Sequence, residues 1–476
     1  MEKQNIALRL TNTETREKEV IVPLNGHTIL LYTCGPTVYN FAHIGNFRTY
    51  VQEDLLRRTL QFFGMKVRQV MNITDIDDKT MKGALDSKMS LEDYTKPYIE
   101  AFFEDLQTLR IQPAEEYPAA TDYIPDMITI IQGLIEKGIA YVGSDKSVYF
   151  SLVRFPKYGR LSHLPLDELQ VGASERVGSD EYEKDHVCDF VLWKSYDAER
   201  DGTIFWDSPF GPGRPGWHIE CSAMAMKLLG QTIDIHVGGI DNMFPHHENE
   251  IAQCEAYSDK CFVRHWLHVE HLLVDHKKMS KSLGNFYTLR DLLAKGYTPE
   301  QIRYVLLQTH YRIQQNFTFQ NLEAAKASLE RIADFVDRLE RITDHKSHGA
   351  LEPVLEKVVR NFTLALAEDL NISLALAALF DGIREMNGLC DKNKIGKKEA
   401  LHALKVLKEL DAVLGVLPLE KKQEKIPDEL LDALEKREKA RKEKNWKEAD
   451  HHRDVILAAG YVLEDTPTGI RLKKGS

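Results

Sequence analysis

The pattern of hydrophobic and polar positions near the start of the chain predicts an alternation of strands and a helix. Thr28–Thr33 (TILLYT) is an apolar run of strand length, and a helical pattern follows from about Ile44 to Phe63, where a Phe-Gly pair marks its end. Lys66–Met71 (KVRQVM) has the length and composition of a second strand. A strand, a helix and a strand in this order form a βαβ unit, so we predict a parallel sheet.

The middle of the chain departs from this pattern and then returns to it. Thr121–Trp206 consists of short segments separated by glycine, proline and charged residues, which indicates a domain inserted into a larger one. Gly216–Cys221 and Ile233–Val237 are apolar again. We predict that both are strands that continue the first sheet.

The second half of the chain is predicted to be helical. The Thr298–Gln301 segment combines a cap residue, a proline in the first turn and a capping-box glutamine. From Asn321 onwards apolar residues recur at helical spacing, and two more such segments follow near Leu355–Leu389 and Lys397–Leu414. This pattern is typical of a helical bundle.

The end of the chain has a different composition. Pro418–Pro427 (PLEKKQEKIP) is charged and flanked by prolines, so we predict a linker. A charged helix, a second helix around Lys447–Ala459 and a group of turn residues follow it. The last 56 residues carry 14 basic and 12 acidic side chains, whereas the whole chain has a net charge of −11. The acidic total argues against indiscriminate nucleic-acid binding, and the tail is the part better suited to a polyanion.

Composition places the 476-residue chain among globular proteins of several domains, with 43% hydrophobic and 28% charged residues. No stretch reaches the roughly 18 unbroken apolar residues of a membrane helix, and the start lacks an apolar signal core. We therefore expect a cytoplasmic protein. The six cysteines are too few and too scattered for a disulfide framework; they are Cys34, Cys188, Cys221, Cys254, Cys261 and Cys390.

The first candidate cluster for chemistry follows the first predicted strand. It consists of CGPTVY, beginning at Cys34, and HIGN, beginning at His43. Ligands bind at the carboxyl edge of a parallel sheet, and the N–H groups of a helix start suit phosphate. Gly45 would permit close approach of a nucleotide, and His43 could donate to phosphate oxygens. The alternative for His43 is an ordinary capping or surface histidine.

The second cluster is Lys278-Met-Ser-Lys281-Ser. Two lysines three residues apart on a loop can neutralise the triphosphate of a nucleotide and its leaving pyrophosphate. The alternative is a solvated basic loop. In order and separation, the two clusters resemble the HIGH and KMSKS motifs of class I aminoacyl-tRNA synthetases.

The third cluster combines metal-binding side chains from distant parts of the chain. His246 and Glu250 are four residues apart, so they share one face of a helix. With Cys34 and Cys221 they form a set suited to tetrahedral zinc. Coincidence is the alternative, and His247 is the rival ligand.

Five segments together resemble cysteinyl-tRNA synthetases over essentially the whole chain: CGPTVY…HIGN, NITDIDDK, GWHIECSAM, IDIHVGGIDNMFPHHENEIAQ and KMSKSLGN. The resemblance implies one Zn²⁺ per chain, with Cys34, Cys221, His246 and Glu250 as ligands and the sulfur of the substrate as an added ligand. Zinc prefers a soft thiolate to the hydroxyl of serine, so the metal would select the amino acid without a proofreading site.

The resemblance also implies roles for other residues, each of which could instead be structural. The catalytic residues would be His43, Lys278 and Lys281. The ATP-binding residues would be His43, Gly45, Asn46, Gly238, Gly239 and Lys281. The amino-acid pocket would contain Thr74, Trp217 and His236, and Asp241 would lie near the amino group of the substrate or near the nucleotide. Asn46 stands where the family motif has a second histidine, and Glu248 is expected to face solvent.

The C-terminal segment ARKEKNWKEADHHRDVILAAGYVLEDTPTG resembles the anticodon-reading domain of the same family. Trp446 could stack on an unpaired base, while Arg441 and Arg453 could contact phosphate or base edges. The alternative is a charged helix with one half-buried tryptophan.

The expected fold is α/β, with a Rossmann-like parallel-sheet catalytic domain, an inserted connective domain, a helical bundle and a small C-terminal anticodon-binding domain. The expected boundaries are 1–120 and 207–270 for the two halves of the catalytic domain, 121–206 for the insertion, 271–320 for the KMSKS and stem-contact region, 321–417 for the bundle, 418–427 for the linker and 428–476 for the anticodon-binding domain.

The expected function is attachment of L-cysteine to tRNA(Cys) by way of cysteinyl-adenylate. The expected partners are ATP with Mg²⁺, L-cysteine and tRNA(Cys), without a membrane, and the chain is expected to be a monomer. One alternative is a related ligase that joins cysteine to an amino-sugar, which would lack an anticodon domain. The other is a non-catalytic, zinc-stabilised RNA-binding protein, which would have lost the motif residues.

Overall fold

The computed structural model describes residues 6–164, 189–419, 427–466 and 469–474. Contacts divide the chain into two units, Met1–Leu419 and Glu420–Ser476. The described helices are α1 Ile44–Phe62, α2 Asp78–Ser87, α3 Leu91–Thr108, α4 Ile124–Glu136, α5 Ala198–Asp201, α6 Trp217–Leu229, α7 Glu248–Ser258, α8 Leu289–Ala294, α9 Pro299–Leu307, α10 Phe319–Glu340, α11 Glu352–Ala367, α12 Ile372–Asp391, α13 Lys397–Leu414, α14 Asp428–Lys442 and α15 Trp446–Ala458. The described strands are β1 Arg9–Thr11, β2 Lys18–Val20, β3 Thr28–Thr33, β4 Lys66–Met71, β5 Ala140–Val142, β6 Val148–Phe150, β7 Phe190–Ser195, β8 Gly213–Pro215, β9 Ile233–Gly239, β10 Val263–Val269, β11 Leu272–Val274, β12 Lys277–Lys278, β13 Gln315–Phe317, β14 Tyr461–Thr466 and β15 Gly469–Lys474.

A four-stranded parallel sheet in the order β10-β9-β3-β4 forms the centre of the first unit. Strand β3, helix α1 and strand β4 are the predicted βαβ unit, and the strand predicted at Ile233–Val237 is β9, the neighbour of β3. Because all four strands are parallel, their carboxyl ends meet at one edge. Thr33, Met71 and Gly239 mark that edge.

The prediction of a strand at Gly216–Cys221 was wrong. Gly216 is the N-cap of α6, and this helix is buried along most of its length. Its apolar residues therefore occur on all sides of the helix. A short run that is apolar throughout does not distinguish a buried helix from a buried strand.

The segment that follows α4 contains a second, antiparallel sheet in the order β5-β6-β7-β8. It occupies much of the predicted insertion and extends past Trp206 to Pro215. Cys188 lies outside the described residues, and each of the five described cysteines is free.

Helices α10 to α13 form the predicted bundle, and its apolar faces share one core with α1 and α9. The capping box at Thr298 and Gln301 begins α9 as predicted. The single segment predicted at Leu355–Leu389 is two helices. The chain turns at Asp369 and Leu370, both at positive φ, and the Asp369 carboxylate accepts hydrogen bonds from Thr11 in β1. A tertiary contact stabilises this turn, and no glycine or proline announces it in the sequence.

The second unit contains α14, α15 and the antiparallel pair β14-β15 around a small apolar core. The helix predicted around Lys447–Ala459 is α15, whereas the strand pair was not predicted. Most of the predicted linker, residues 420–426, lies outside the described residues. None of the described helices is long and apolar enough to span a membrane.

Candidate active site and metal centre

A cavity of about 370 Å³ lies at the carboxyl edge of the parallel sheet. Its wall comes from the loop after β3, the loop after β4, the start of α2, the first turns of α6, the turn after β9 and the loop that contains Lys281 and Phe286. The predicted site residues on this wall are Cys34, His43, Asn46, Thr74, Trp217, Cys221, Gly239, Asp241, His246 and Lys281. Topology explains why the segments after β3, β4 and β9 converge, since these parallel strands end on the same side.

His43 and Asn46 form a reciprocal cap at the start of α1. The backbone N–H of Asn46 donates to Nδ1 of His43 over 3.2 Å, and the backbone N–H of His43 donates to Oδ1 of Asn46 over 3.1 Å. Because Nδ1 accepts a hydrogen bond, the proton of the neutral ring is on Nε2. Burial lowers the pKa of His43 below 6.5, so the ring at neutral pH is an uncharged donor. Asn46 thus has a structural role here.

Gly45 faces the protein and not the cavity. A Cβ at this position would lie 2.6 Å from Cε of Met279 and 2.9 Å from the ring of His43. The expected role of Gly45 in the close approach of a nucleotide stays a prediction. The glycine lets the helix start pack against the KMSKS loop.

The two motif lysines occupy different environments. Lys281 lines the cavity, with Nζ 5.5 Å from the ring centroid of Phe286. Lys278 is exposed on β12 and is not part of the cavity wall. Oδ1 of Asn285 holds the loop by accepting a hydrogen bond from the backbone N–H of Ser280 over 2.8 Å.

Cys34, Cys221, His246 and Glu250 converge at the base of the cavity. One ligand atom from each lies within 4.8 Å of the others, and all four side chains are buried. Cys34 follows β3, Cys221 lies on α6, and the other two flank the start of α7. Two sulfurs, one nitrogen and one oxygen form a donor set that zinc accepts in tetrahedral geometry.

The hydrogen bonding of Glu250 fits a cation at this position. Its Oε1 lies 3.0 Å from Nε2 of His246 but, among the described residues, this buried oxygen has no hydrogen-bond partner. A buried carboxylate oxygen without a partner is costly unless an ion satisfies it. The arrangement of the four side chains is therefore compatible with a bound metal ion.

The ionisation of the group also favours a metal. The hydrogen bond between the two thiols lowers the pKa of Cys221 and raises that of Cys34, so the pair favours a thiolate on Cys221. Burial acts to raise the pKa of Glu250, but His236 and His246 offset it and lower this pKa to about 2. Zinc binds thiolates and carboxylates in their ionised forms.

A second set of donors shares Cys34 and Glu250 but uses His236 and His247. Nε2 of His247 lies 3.2 Å from Sγ of Cys34, as expected of the rival ligand. His236 and His247 are fully buried and do not reach the cavity, whereas Cys221 and His246 line it. Only the first set is open to a ligand that enters the cavity.

His236 therefore does not line the amino-acid pocket as expected. Its Nε2 lies 3.0 Å from Oε2 of Glu250, and its ring stacks on Trp266 with centroids 4.7 Å apart. It supports the carboxylate from behind, because β9 directs its side chain into the core and not towards the cavity.

Glu248 does not face solvent. It is fully buried, and its carboxylate accepts hydrogen bonds from the backbone N–H groups of Gly159, Leu161 and Ser162 over 2.9–3.1 Å. Helix α7 is enclosed on this side by the segment that follows β6. Helical spacing alone does not reveal such a cover.

The other predicted pocket residues are placed as follows. Trp217 stacks on His246 with centroids 4.2 Å apart. Oγ1 of Thr74 accepts a hydrogen bond from Nδ2 of Asn72 over 3.0 Å. Of the glycine pair, Gly239 lines the cavity, whereas a Cβ on Gly238 would lie 2.8 Å from the ring of His247.

Comparisons with known proteins agree with this geometry. A family model for the class I (C) tRNA synthetase catalytic domain matches residues 20–327. A protein of Protochlamydia amoebophila named cysteine–tRNA ligase is 62% identical, over 99% of this chain and 98% of its own length. A cysteine–tRNA ligase of Chlamydia muridarum is 57% identical, over 98% of this chain and 99% of its own length.

This chain belongs to the cysteine–tRNA ligase family. A DALR domain model also matches residues 361–418, within helices α11 to α13. The fold of this family member is similar to that of Mycobacterium tuberculosis methionyl-tRNA synthetase in complex with methionyl-adenylate. The TM-score is 0.63 at 13% identity, over 82% of this chain and 92% of the other. The class I synthetase fold is thereby established.

Residues of the C-terminal unit are exposed. Trp446 begins α15 and is 59% exposed, more than the half-buried alternative assumed. Arg441 on α14 and Arg453 on α15 are also exposed. Their contacts with tRNA stay predictions.

Several residues of this ligase-family site were not predicted from the sequence. Asn72 lines the cavity and accepts a hydrogen bond from the backbone N–H of Gly35 over 2.9 Å. His218 contacts His246, with their Nδ1 atoms 2.9 Å apart. Lys79 also lines the cavity. All three could have been selected from the sequence, because each lies in a segment that resembles the family. Asn72 and Lys79 lie in NITDIDDK, and His218 lies in GWHIECSAM.

Proposed function

We propose that this protein attaches L-cysteine to tRNA(Cys), first forming cysteinyl-adenylate from cysteine and ATP and then transferring the cysteinyl group to the 3′-terminal ribose. The observation that carries this proposal is that the Cys34–Cys221–His246–Glu250 group opens onto the same cavity as His43 and Lys281. Relatives that match over nearly their whole length and are named cysteine–tRNA ligase support it.

The amino acid would be selected by its sulfur. A Zn²⁺ ion held by the four ligands would supply a soft Lewis acid that favours the substrate thiolate over an alcohol. Trp217 and His218 hold the ring of His246, and His236 holds the carboxylate of Glu250. Serine lacks a soft donor, so we propose that no separate proofreading site is needed.

In the first step, a carboxylate oxygen of cysteine attacks the α-phosphorus of ATP bound with Mg²⁺. The bond from this phosphorus to the bridging oxygen breaks, and pyrophosphate leaves. Nε2–H of His43 and the N–H groups at the start of α1 would donate to phosphate oxygens as negative charge moves onto them. Lys281, joined by Lys278 if the loop moves inward, would neutralise the pyrophosphate.

In the second step, a hydroxyl of the terminal ribose attacks the acyl carbon and AMP leaves. We propose that residues 428–476 bind the anticodon through Trp446, Arg441 and Arg453. We also propose that the inserted domain begins near residue 121 and extends beyond the expected end at 206 to Pro215, where its sheet ends. We propose that the reaction takes place in the cytoplasm, where ribosomes use charged tRNA. All proposed site residues come from one chain, so a monomer suffices.

Cysteine-dependent exchange of pyrophosphate into ATP, compared with serine and followed by charging of tRNA, tests this proposal. We expect exchange with cysteine and little with serine, and we expect Cys221→Ala to lose zinc and to raise the KM for cysteine. Cys261→Ala, which changes an exposed cysteine, is the matched control. Normal zinc content and a normal KM in Cys221→Ala would refute the metal assignment. An amino-sugar acceptor preferred over tRNA would refute the proposed product.

A further inference from the structure

Lys79 is a second lysine on the wall of the active-site cavity, in addition to Lys281. It lies in the first turn of α2, two residues after the N-cap Asp77, and its side chain is exposed. Among the described residues that line the cavity, Asp241 is the acidic one. The two lysines therefore suit this cavity to an anionic ligand.

The acidic residues beside Lys79 in sequence are already engaged. Asp78 forms ion pairs with Lys194, over 3.1 Å, and with Arg214. Oδ1 of Asp77 accepts a hydrogen bond from the backbone N–H of Lys79 over 2.8 Å. Within the described part of the chain, the ion pairs provide no carboxylate partner for the ammonium group of Lys79.

An aromatic ring holds the ammonium group at the cavity. Nζ of Lys79 lies 4.9 Å from the ring centroid of Tyr39, and both residues line the cavity. The hydroxyl of Tyr94 donates to the backbone oxygen of Tyr39 over 3.1 Å, which anchors the loop that carries the ring. A cation–π contact of this kind orients a lysine while leaving its N–H groups available.

The placement of Lys79 differs from that of the motif lysine Lys278. Lys278 is exposed on β12 and does not line the cavity, so the two lysines on the wall come from two separate segments of the chain. One is Lys281 of the KMSKS loop, and the other is Lys79 at the start of α2. Two ammonium groups on one wall favour a ligand with negative charge, such as one that carries phosphate groups.

We propose that Lys79 binds a phosphate group of the reactants. This inference rests on the proposed function, because that reaction brings two phosphate carriers into the cavity. One is the triphosphate of ATP, and the other is the phosphodiester backbone at the 3′ end of the tRNA. Both present the same chemistry to an ammonium group, and kinetics separates them.

The test compares Lys79→Gln with Lys82→Gln. Lys82 lies on the same helix and is exposed, but it does not line the cavity. ATP is titrated in cysteine-dependent pyrophosphate exchange, and tRNA is titrated in single-turnover transfer from cysteinyl-adenylate formed beforehand. We expect Lys79→Gln to raise the half-saturating concentration of one carrier by about tenfold or more, the loss typical of a charged hydrogen bond. Lys79→Arg should retain most of the affinity.

Each outcome decides the proposal. A shift confined to ATP identifies the triphosphate, and a shift confined to tRNA identifies its 3′ end. Identical titrations of both carriers in Lys79→Gln and Lys82→Gln would overturn the inference. An equal loss in Lys79→Arg and Lys79→Gln, with unchanged thermal midpoints, would overturn it too, because the charge would then be irrelevant. No exchange by the unmodified protein would instead refute the proposed function.

Discussion

Nδ1 of His218 lies 2.9 Å from Nδ1 of His246, and both rings are buried. This contact occupies Nδ1 of His246 and leaves Nε2 to face Glu250, 3.0 Å away. A histidine that ligates a metal commonly uses its second nitrogen in this way, since the contact fixes the orientation of the ring. His218 thus determines which nitrogen of His246 is presented to the metal centre.

Replacing His218 by Phe should weaken zinc binding by about 10- to 100-fold, because the ring of His246 loses the partner that orients it. Competition with a chromogenic chelator measures this loss. His218→Gln retains a hydrogen-bonding group and should lose less. Unchanged affinity in His218→Phe would mean that stacking on Trp217 alone orients His246.

The two lysines of the KMSKS loop should respond differently to substitution. Lys281 lines the cavity and Lys278 does not. Lys281→Ala should therefore lower the rate of pyrophosphate exchange by about 100-fold relative to the unmodified protein, and Lys278→Ala should lower it less. The two alanine variants form a matched pair on one loop. Equal losses would show that the loop moves inward and brings both ammonium groups to the triphosphate.

The buried ion pair between Asp54 on α1 and Arg303 on α9 should contribute strongly to the free energy of unfolding. Both side chains are almost completely inaccessible, and Arg303 also donates to the backbone oxygens of Leu109 and Leu414. Asp54→Ala leaves a buried charge unpaired and should lower the free energy of unfolding by about 3–5 kcal/mol.

The control for this variant is Glu385→Ala, which removes the exposed ion pair with Lys357. Its cost should be at most about 1 kcal/mol. Urea denaturation of the zinc-loaded proteins compares the two. A similar small loss in Asp54→Ala would show that water reaches the guanidinium group.

Stability should fall as the pH falls below about 6.5, and His268 should contribute to this fall. Burial lowers its pKa to about 3, against an ordinary 6.5. Between these values the unfolded chain binds the extra proton, so acid favours unfolding by up to about 1.4 kcal/mol per pH unit for this group. The contribution is fully present above the unfolded pKa.

Urea midpoints at pH 7, 6 and 5 measure this dependence. His268→Gln should reduce the pH dependence of the urea midpoint by the contribution of one histidine. His271→Gln, a change at an exposed histidine, should leave this dependence unaltered. An unchanged slope in His268→Gln would show that His268 titrates alike in the folded and unfolded chains.

Sequence patterns predicted the helices best where local signals mark their ends. Helices α1 and α15 begin and end close to the expected residues, and α9 begins at its predicted cap, because caps and stop signals act locally. The pattern failed at Gly216–Cys221, where a helix is buried on several sides. It also failed at Asp369, where the break between two helices depends on a contact with Thr11.

The same division applies to the site. The start of α1 at His43 and the loop at Lys281 are local motifs, and both were identified from residue types and spacing. The burial of Glu248, the contact between His218 and His246, and the enclosure of His236 arise from packing between elements. No spacing within one segment encodes such contacts.

Residue types and their order by themselves determined the βαβ unit, the helical second half and the resemblance to cysteinyl-tRNA synthetases. Only the tertiary structure decided that Cys34 and Cys221 meet and that the cavity is open to His246 but closed to His247. The reason is physical: periodicity and capping are set by neighbours along the chain, whereas convergence requires parallel strands to end at one edge and bring distant loops together.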